Sequence, residues 1–284
     1  MAEEVWMLQT KKADFKQIGA RFRIDPVTAR IIRNRGIKGE AAIDRYLNGT
    51  LDDLYDPMLL KDMERAVSIL CEAVDTGKKI RIVGDYDIDG VCSTYILLQA
   101  FERLGSDVDF EIPDRIKDGY GINESIIEQA HADGVEVILT CDNGISAFHQ
   151  VELAKKYGMT VVITDHHEVP LDGEKEKIPP ADAVIDPKQA DCPYPFPEIC
   201  GAVVAYKLVQ VLYARRGVPQ MEWLDLLEFA AIATVGDVMK LQDENRIVVK
   251  EGLRRAAQTK SVGLRKLVEK NNLQDLPLRW QRTL

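Results

Sequence analysis

The stretch KIRIVGDYDIDG, residues 79–90, decides the fold. Lys79–Gly84 is a short run rich in β-branched residues, too brief for a helix, and it breaks into an acidic turn. A helical stretch, Val91–Leu104, follows and stops at Gly105. The unit then repeats. Asp107–Ile112 reads as a second strand, followed by a helix over Glu124–Asp133 capped by Asn123. Val135–Cys141 (VEVILTC) is a third strand, with a helix over Ala147–Tyr157 ending at Gly158. Thr160–Thr164 (TVVIT) is a fourth strand and Ala183–Ile185 a fifth. Short strands alternating with longer helices form right-handed βαβ units. The expected class is therefore α/β, a doubly wound and mostly parallel sheet flanked by helices.

Around this centre the chain reads as helical. On the N-terminal side Asp62 is the expected cap of a helix running to about Asp75. Residues 11–60 suit short helices, for example one with Asp25 as N-cap and Pro26 as first residue. Beyond a loop holding Pro187, Pro193, Pro195 and Pro197, helices are expected over Ala202–Arg215, Met221–Val235 and Asn245–Ala257. Three parts follow from this: a basic helical extension over 1–60, a strand–helix domain over 61–245 and a basic helical connector over 246–284.

Composition narrows the function. Across 284 residues, 46% are apolar and 29% charged, an ordinary globular balance. No apolar run approaches the roughly 18 residues that span a bilayer, and the N-terminus lacks a secretory signal. A cytoplasmic location and no membrane partner are expected. The five cysteines include no C-x-x-C pair, which argues against a disulfide framework or a zinc ribbon. The net charge of −9 is unevenly spread. Residues 11–45 carry ten Lys/Arg against four Asp/Glu, and residues 246–284 carry ten against three, whereas 46–245 carry seventeen against thirty-seven. An acidic centre suits cations and basic ends suit a polyanion.

In an open parallel sheet, ligands bind beyond the carboxyl ends of the strands. There the sequence places Asp85-Tyr86-Asp87-Ile88-Asp89-Gly90, then Asp142-Asn143-Gly144, then Asp165-His166-His167, with Gly236-Asp237 arriving from the helical part. Gathered carboxylates repel one another unless a cation sits among them. Carboxylate with imidazole is a ligand set for Mn²⁺, Mg²⁺, Zn²⁺ or Fe²⁺, and the lack of a thiolate cluster favours the harder ions. Singly, each group has an ordinary role, as a helix cap, a turn former or an exposed histidine. A calcium EF-hand starting at Asp85 fails, because its twelfth position is Ile96 rather than glutamate. Convergence of the loops on one rim is what points to a metal centre.

Together DYDIDG (85–90), DNG (142–144), DHH (165–167) and GD (236–237) resemble the four motifs of the DHH phosphoesterase superfamily, and within it the RecJ-type family of bacterial single-strand-specific 5′→3′ DNA exonucleases. The stretches IPDRIKDGYGIN (112–123), CGAVVAYKL (200–208) and GDVMKLQDENRIVVKEGL (236–253) resemble that family too. The resemblance implies two Mn²⁺ or Mg²⁺ ions. Asp87 would bind the first, Asp89 the second, and Asp142 would bridge them, with His166 and Asp237 completing the ligands of the second ion. His167 would face the scissile phosphate, and Asp85 would be a further ligand or a base orienting water. Arg115 is a candidate for the strand's backbone or 5′-phosphate, although alone it reads equally as an exposed loop arginine. Gly90 and Ser93 would offer N–H groups to a phosphate, unless Gly90 serves only the turn.

The resemblance further implies single-stranded DNA as substrate, released as 5′-mononucleotides in repair or recombination. A single-strand-binding protein or helicase is an implied partner and a monomer the implied state. Such proteins continue into a second domain with a Gly-Gly-His stretch and an oligonucleotide-binding domain, so a truncated chain is expected. Three alternatives stay open: a phosphodiesterase for short oligoribonucleotides or cyclic dinucleotides, a haloacid-dehalogenase-like phosphatase, and an inactive scaffold.

Overall fold

The computed structural model describes residues 11–116, 119 and 121–272. Three short helices, α1 (Phe15–Phe22), α2 (Pro26–Asn34) and α3 (Glu40–Asn48), enclose a small core of Ile32, Ile37, Ile43 and Tyr46. Asp25 caps α2 through the amides of Val27 and Thr28, with Pro26 in the first turn. Helix α4 (Met63–Asp75) leads into β1 (Ile80–Val83), and α5 (Ile88–Arg103) connects β1 to β2 (Val108–Glu111). Helix α6 (Glu124–Ala132) precedes β3 (Val137–Cys141), and α7 (Phe148–Lys156) precedes β4 (Thr160–Thr164). A small antiparallel hairpin, β5 (Leu171–Asp172) with β6 (Lys175–Glu176), comes before β7 (Ala183–Ile185).

The five main strands pair in parallel in the order β2-β1-β3-β4-β7, so the chain reverses its direction of growth between β1 and β3. At such a switch point neighbouring strands send their connections to opposite faces and leave a crevice at their carboxyl ends. Two-residue alternation divides the core accordingly. Ile80, Ile82, Val137, Leu139, Val162 and Ile185 pack on one face with α4 and α5, whereas Val83, Ile138, Ile163 and Val184 pack on the other with α6 and α7. Burial on both faces explains why these strands read as unbroken apolar runs.

The first face is completed by α8 (Gly201–Arg215), α9 (Gln220–Leu224), α10 (Leu227–Gly236) and α11 (Asp243–Ala256), with α12 (Val262–Lys270) beyond. The single helix expected over Met221–Val235 is therefore two. At Leu226 and Phe229 the amides bond to Trp223 O and Leu226 O, three residues back, and the break lets both Leu224 and Leu226 turn inward. Helix α5 starts at Ile88 rather than Val91, because Asp87 caps it. Residue 246 lies inside α11, where Arg246 Nε donates to Tyr46 O at 2.6 Å and ties the N-terminal helices to the rest. Among the described residues no helix is long and apolar enough to cross a membrane. Arg279 and Arg282 of the basic tail lie outside the described residues.

A buried ion pair joins distant segments. Lys207 of α8 and Glu244 of α11 are 1% and 0% exposed and lie 3.1 Å apart. Glu244 also accepts from Tyr55 N and Tyr194 OH, and Lys207 Nζ donates to Tyr55 O at 3.0 Å.

Arg81 in β1 anchors the opposite end of the sheet, donating to Asp109 at 2.7 Å and to Asp133 at 2.8 Å, with Lys79 3.2 Å from Asp109. Burial pushes the Asp109 carboxyl up, but the Arg81 and Lys79 contacts outweigh it, and the Arg81 hydrogen bond holds Asp133 below its ordinary value. Carboxylates depressed in the fold add stability above about pH 4 that is lost as pH falls through their folded values. Arg81→Gln is therefore expected to move acid unfolding, followed by circular dichroism, to higher pH. An unchanged acid transition would contradict this role.

Candidate metal centre

The site is built where β1, β3 and β4 end. After β1, Asp85 is buried, and its Oδ1 accepts the Gly121 amide at 3.3 Å. Asp87 caps α5, accepting the amides of Asp89 and Gly90 at 2.9 Å each. This cap fixes the first turn of α5 and so places Asp89, which is 1% exposed, opposite the start of α8. Both Asp89 oxygens accept amides there, from Gly201 at 2.7 Å and Ala202 at 2.8 Å. Helix α8 has no side-chain cap of its own from Cys200, so a carboxylate 112 residues upstream supplies one.

After β3, Asp142 adopts φ 60, a left-handed conformation uncommon outside glycine and asparagine. Its amide donates to Thr164 O at 3.1 Å, which holds the turn against β4. Asn143 pins the neighbouring strands, donating to Val83 O at 3.0 Å and Cys141 O at 2.9 Å while accepting from Ile122 N at 3.2 Å. After β4, buried Asp165 accepts from Ile145 N, His166 N and the His167 Nδ1 side, the last at 2.7 Å. That contact fixes the His167 tautomer with Nδ1 as donor and leaves Nε2 for the solvent side.

The donor atoms converge. His166 Nε2 lies 3.1 Å from Asp142 Oδ1, 3.4 Å from Asp89 Oδ2 and 3.8 Å from Asp237 Oδ2. Among the described residues three overlapping groups, Asp85–Asp87–Asp142, Asp89–His166–Asp237 and Asp142–His166–His167, each hold their ligand atoms within 4.8 Å of one another. Asp142 belongs to two of them. Its carboxyl is pushed far up, first by burial and then by the charges of Asp89 and Asp87. Burial also raises Asp85 and Asp237, and it lowers His166. The Asp165 hydrogen bond raises His167, and although burial pushes Asp165 up, that bond and the backbone amides hold it down.

Such a cluster repels itself and is relieved by positive charge. The residues fit a divalent cation on two observations. Among the described residues Asp85 Oδ2 is buried with no hydrogen-bond partner, an oxygen left for a ligand. The donors are carboxylate oxygen and imidazole nitrogen, while the nearby thiols do not compete, burial pushing Cys92 up to about 12 and raising Cys141 and Cys200 as well.

The remaining expected residues are placed differently. Gly90 spends its amide on Asp87, and a Cβ there would lie 2.4 Å from Asp85 O, so this glycine serves the turn. Ser93 is fully buried in the second turn of α5, where its amide belongs to the helix ladder. In this arrangement the Gly90 and Ser93 amides are engaged by the cap and the hydrogen-bond ladder of α5. Arg115 is exposed and lies 5.3 Å from the centre of the Tyr86 ring, beside the cluster. Lys117, Asp118 and Tyr120 of its loop lie outside the described residues. Sequence reasoning left Asp165 and Asn143 without a role, although both stand inside quoted motifs. A cavity of about 230 Å³, lined by Asn143, Gly144, Ser146, Gln150 and His167, opens beside the cluster.

With this geometry in hand, similarity to known proteins is informative. A family model described as the DHH family, N-terminal domain, matches residues 79–234. The single-stranded-DNA-specific exonuclease RecJ of Bacillus subtilis (strain 168) is 37% identical over 265 residues, covering 93% of this chain and 32% of that protein. A crystal structure of exonuclease RecJ bound to manganese superposes with a TM-score of 0.66 at 36% identity, covering 74% of this chain and 52% of that one. The structure of RecJ in complex with Mn²⁺ from Thermus thermophilus superposes with a TM-score of 0.72 at 31% identity, covering 90% and 35%. The chain thus spans about a third of the length of that Bacillus subtilis relative.

Proposed function

This chain belongs to the DHH family, and we propose that it is the metal-dependent catalytic part of an exonuclease that hydrolyses single-stranded DNA 5′→3′ to 5′-mononucleotides. The observation that carries the reading is the convergence of Asp87, Asp89, Asp142, His166 and Asp237 at the sheet's switch point. We assign Asp85, Asp87 and Asp142 to one cation and Asp89, Asp142, His166 and Asp237 to a second, Mn²⁺ or Mg²⁺ by the hardness of the donors. Bound there, such ions lower the pKa of water and neutralise charge on a phosphoryl oxygen. The chain's own groups do the rest. Asp165 holds His167 so that its outer nitrogen meets the scissile phosphate. Arg115 grips the backbone or 5′-phosphate.

The same reading divides the chain into an extension (1–60), a catalytic domain (61–245) and a connector (246–284), whose basic ends hold the strand through salt-sensitive phosphate contacts. It also places the protein as a monomer in the cytoplasm, in DNA repair or recombination, beside a single-strand-binding protein or helicase.

The test is hydrolysis in Mn²⁺ of 5′-phosphorylated single strands, duplex DNA and dinucleotides. Preference for the single strand, with mononucleotide release from the 5′ end, is expected. Equal digestion of duplex, or turnover of dinucleotides alone, would replace the reading with a small-substrate phosphodiesterase. Asp165→Asn leaves the ligands in place but loosens His167. It is expected to lower kcat about 10–100-fold while the thermal shift induced by Mn²⁺ persists. Loss of that shift would make Asp165 part of the metal site instead.

A further inference from the structure

Helix α10 closes through an unusual residue. The Val238 amide donates to Val235 O at 3.2 Å and the Met239 amide to Thr234 O at 3.1 Å, with Val238 itself at φ 57. Glycine or asparagine normally fills this left-handed closing position, because a β-branched side chain there crowds its own backbone. Packing offers no compensation, since Val238 is 87% exposed. Strain held by an exposed apolar side chain points to a use outside the fold.

The surroundings say what that use is. Val238 directly follows Asp237, and Ile88 directly follows Asp87, both assigned above as metal ligands. The two segments meet closely: a Cβ on Gly236 would lie 2.4 Å from Ile88 Cγ2. Ile88, Val91 and Val235 are 41%, 45% and 49% exposed, so an apolar lip borders the acidic cluster. A phosphate drawn to cations at Asp87 and Asp237 carries its sugar and base to this border. Base faces free to rest on such a lip belong to unpaired strands.

We propose that Val238, with Ile88, is a substrate-positioning ledge that receives the nucleoside next to the scissile phosphate and favours unpaired strands. The inference rests on the single-strand reading of the cluster. Its test uses the 284-residue chain in Mn²⁺, with anisotropy of a 5′-phosphorylated phosphorothioate oligothymidylate as the binding readout. Val238→Gly is expected to raise Tm by about 2 °C or more, because the strain disappears. It is also expected to weaken oligonucleotide binding about tenfold. The thermal shift induced by Mn²⁺ stays as in the parent, and Val238→Ile keeps the parent's affinity within about twofold. Unchanged binding by Val238→Gly, or loss of the Mn²⁺ shift with it, overturns the proposal, as does a parent chain that fails to bind the oligonucleotide. A parent that binds the strand without cleaving unmodified DNA instead fails the exonuclease reading, and the affinities still decide the ledge.

Discussion

Asp142→Asn is expected to lower hydrolysis of single-stranded DNA by about 10³-fold or more and to abolish the stabilisation given by Mn²⁺. The expectation follows from position. Asp142 Oδ1 is 3.1 Å from His166 Nε2, and its carboxylate contributes to two of the three ligand groups. Asparagine is the substitution of choice because it tolerates φ 60, so the turn after β3 survives. Without metal, the variant is expected to melt above the parent, since burying the Asp142 carboxyl among like charges costs a forced proton uptake that asparagine does not need. Metal-free stability and metal-dependent activity therefore move in opposite directions, as at sites where function is held against folding. Differential scanning fluorimetry with and without Mn²⁺, paired with oligonucleotide hydrolysis, checks both. A variant that keeps the Mn²⁺ shift would remove Asp142 from the centre.

The second large effect is on stability. Lys207→Met is expected to cost about 3–5 kcal/mol, because it leaves Glu244 buried without its counter-charge. Glu244 is 0% exposed, and its other partners, Tyr55 N and Tyr194 OH, donate hydrogen bonds but carry no positive charge. Adding Glu244→Gln is expected to recover part of the loss, since the double variant buries no unpaired ion. Urea unfolding of the single and double variants gives the coupling. A Lys207→Met loss below about 1 kcal/mol would mean that the pair is dispensable.

What could be read in advance follows the range of each interaction. Parallel strands buried on both faces leave continuous apolar runs, so KIRIVG, VEVILTC and TVVIT announced β1, β3 and β4. Acids immediately after those runs were legible as rim groups, because the ends of parallel strands share one edge. The order β2-β1-β3-β4-β7, which sets the crevice between β1 and β3, is a pairing between distant segments that no local pattern encodes. The same holds for Asp89, whose oxygens meet amides 112 and 113 residues away. The Lys207–Glu244 pair joins α8 to α11 across 37 residues of sequence, and nothing local to Lys207 announces it. Asp165 escaped assignment because it orients a histidine rather than joining one of the ligand groups. For Gly90 the choice between turn and phosphate stayed open in the sequence, because which amides the cap of α5 takes up depends on how Asp87 folds back on them. Val238 gave no signal, since its left-handed turn carries no glycine.

Anomalous diffraction at the manganese edge from crystals grown with MnCl₂ tests the central claim most directly. Two peaks about 4 Å apart are expected, one against Asp85, Asp87 and Asp142 and the other against Asp89, Asp142, His166 and Asp237. Absence of manganese among these residues at saturating concentration, or peaks that remain in Asp142→Asn crystals, would contradict it.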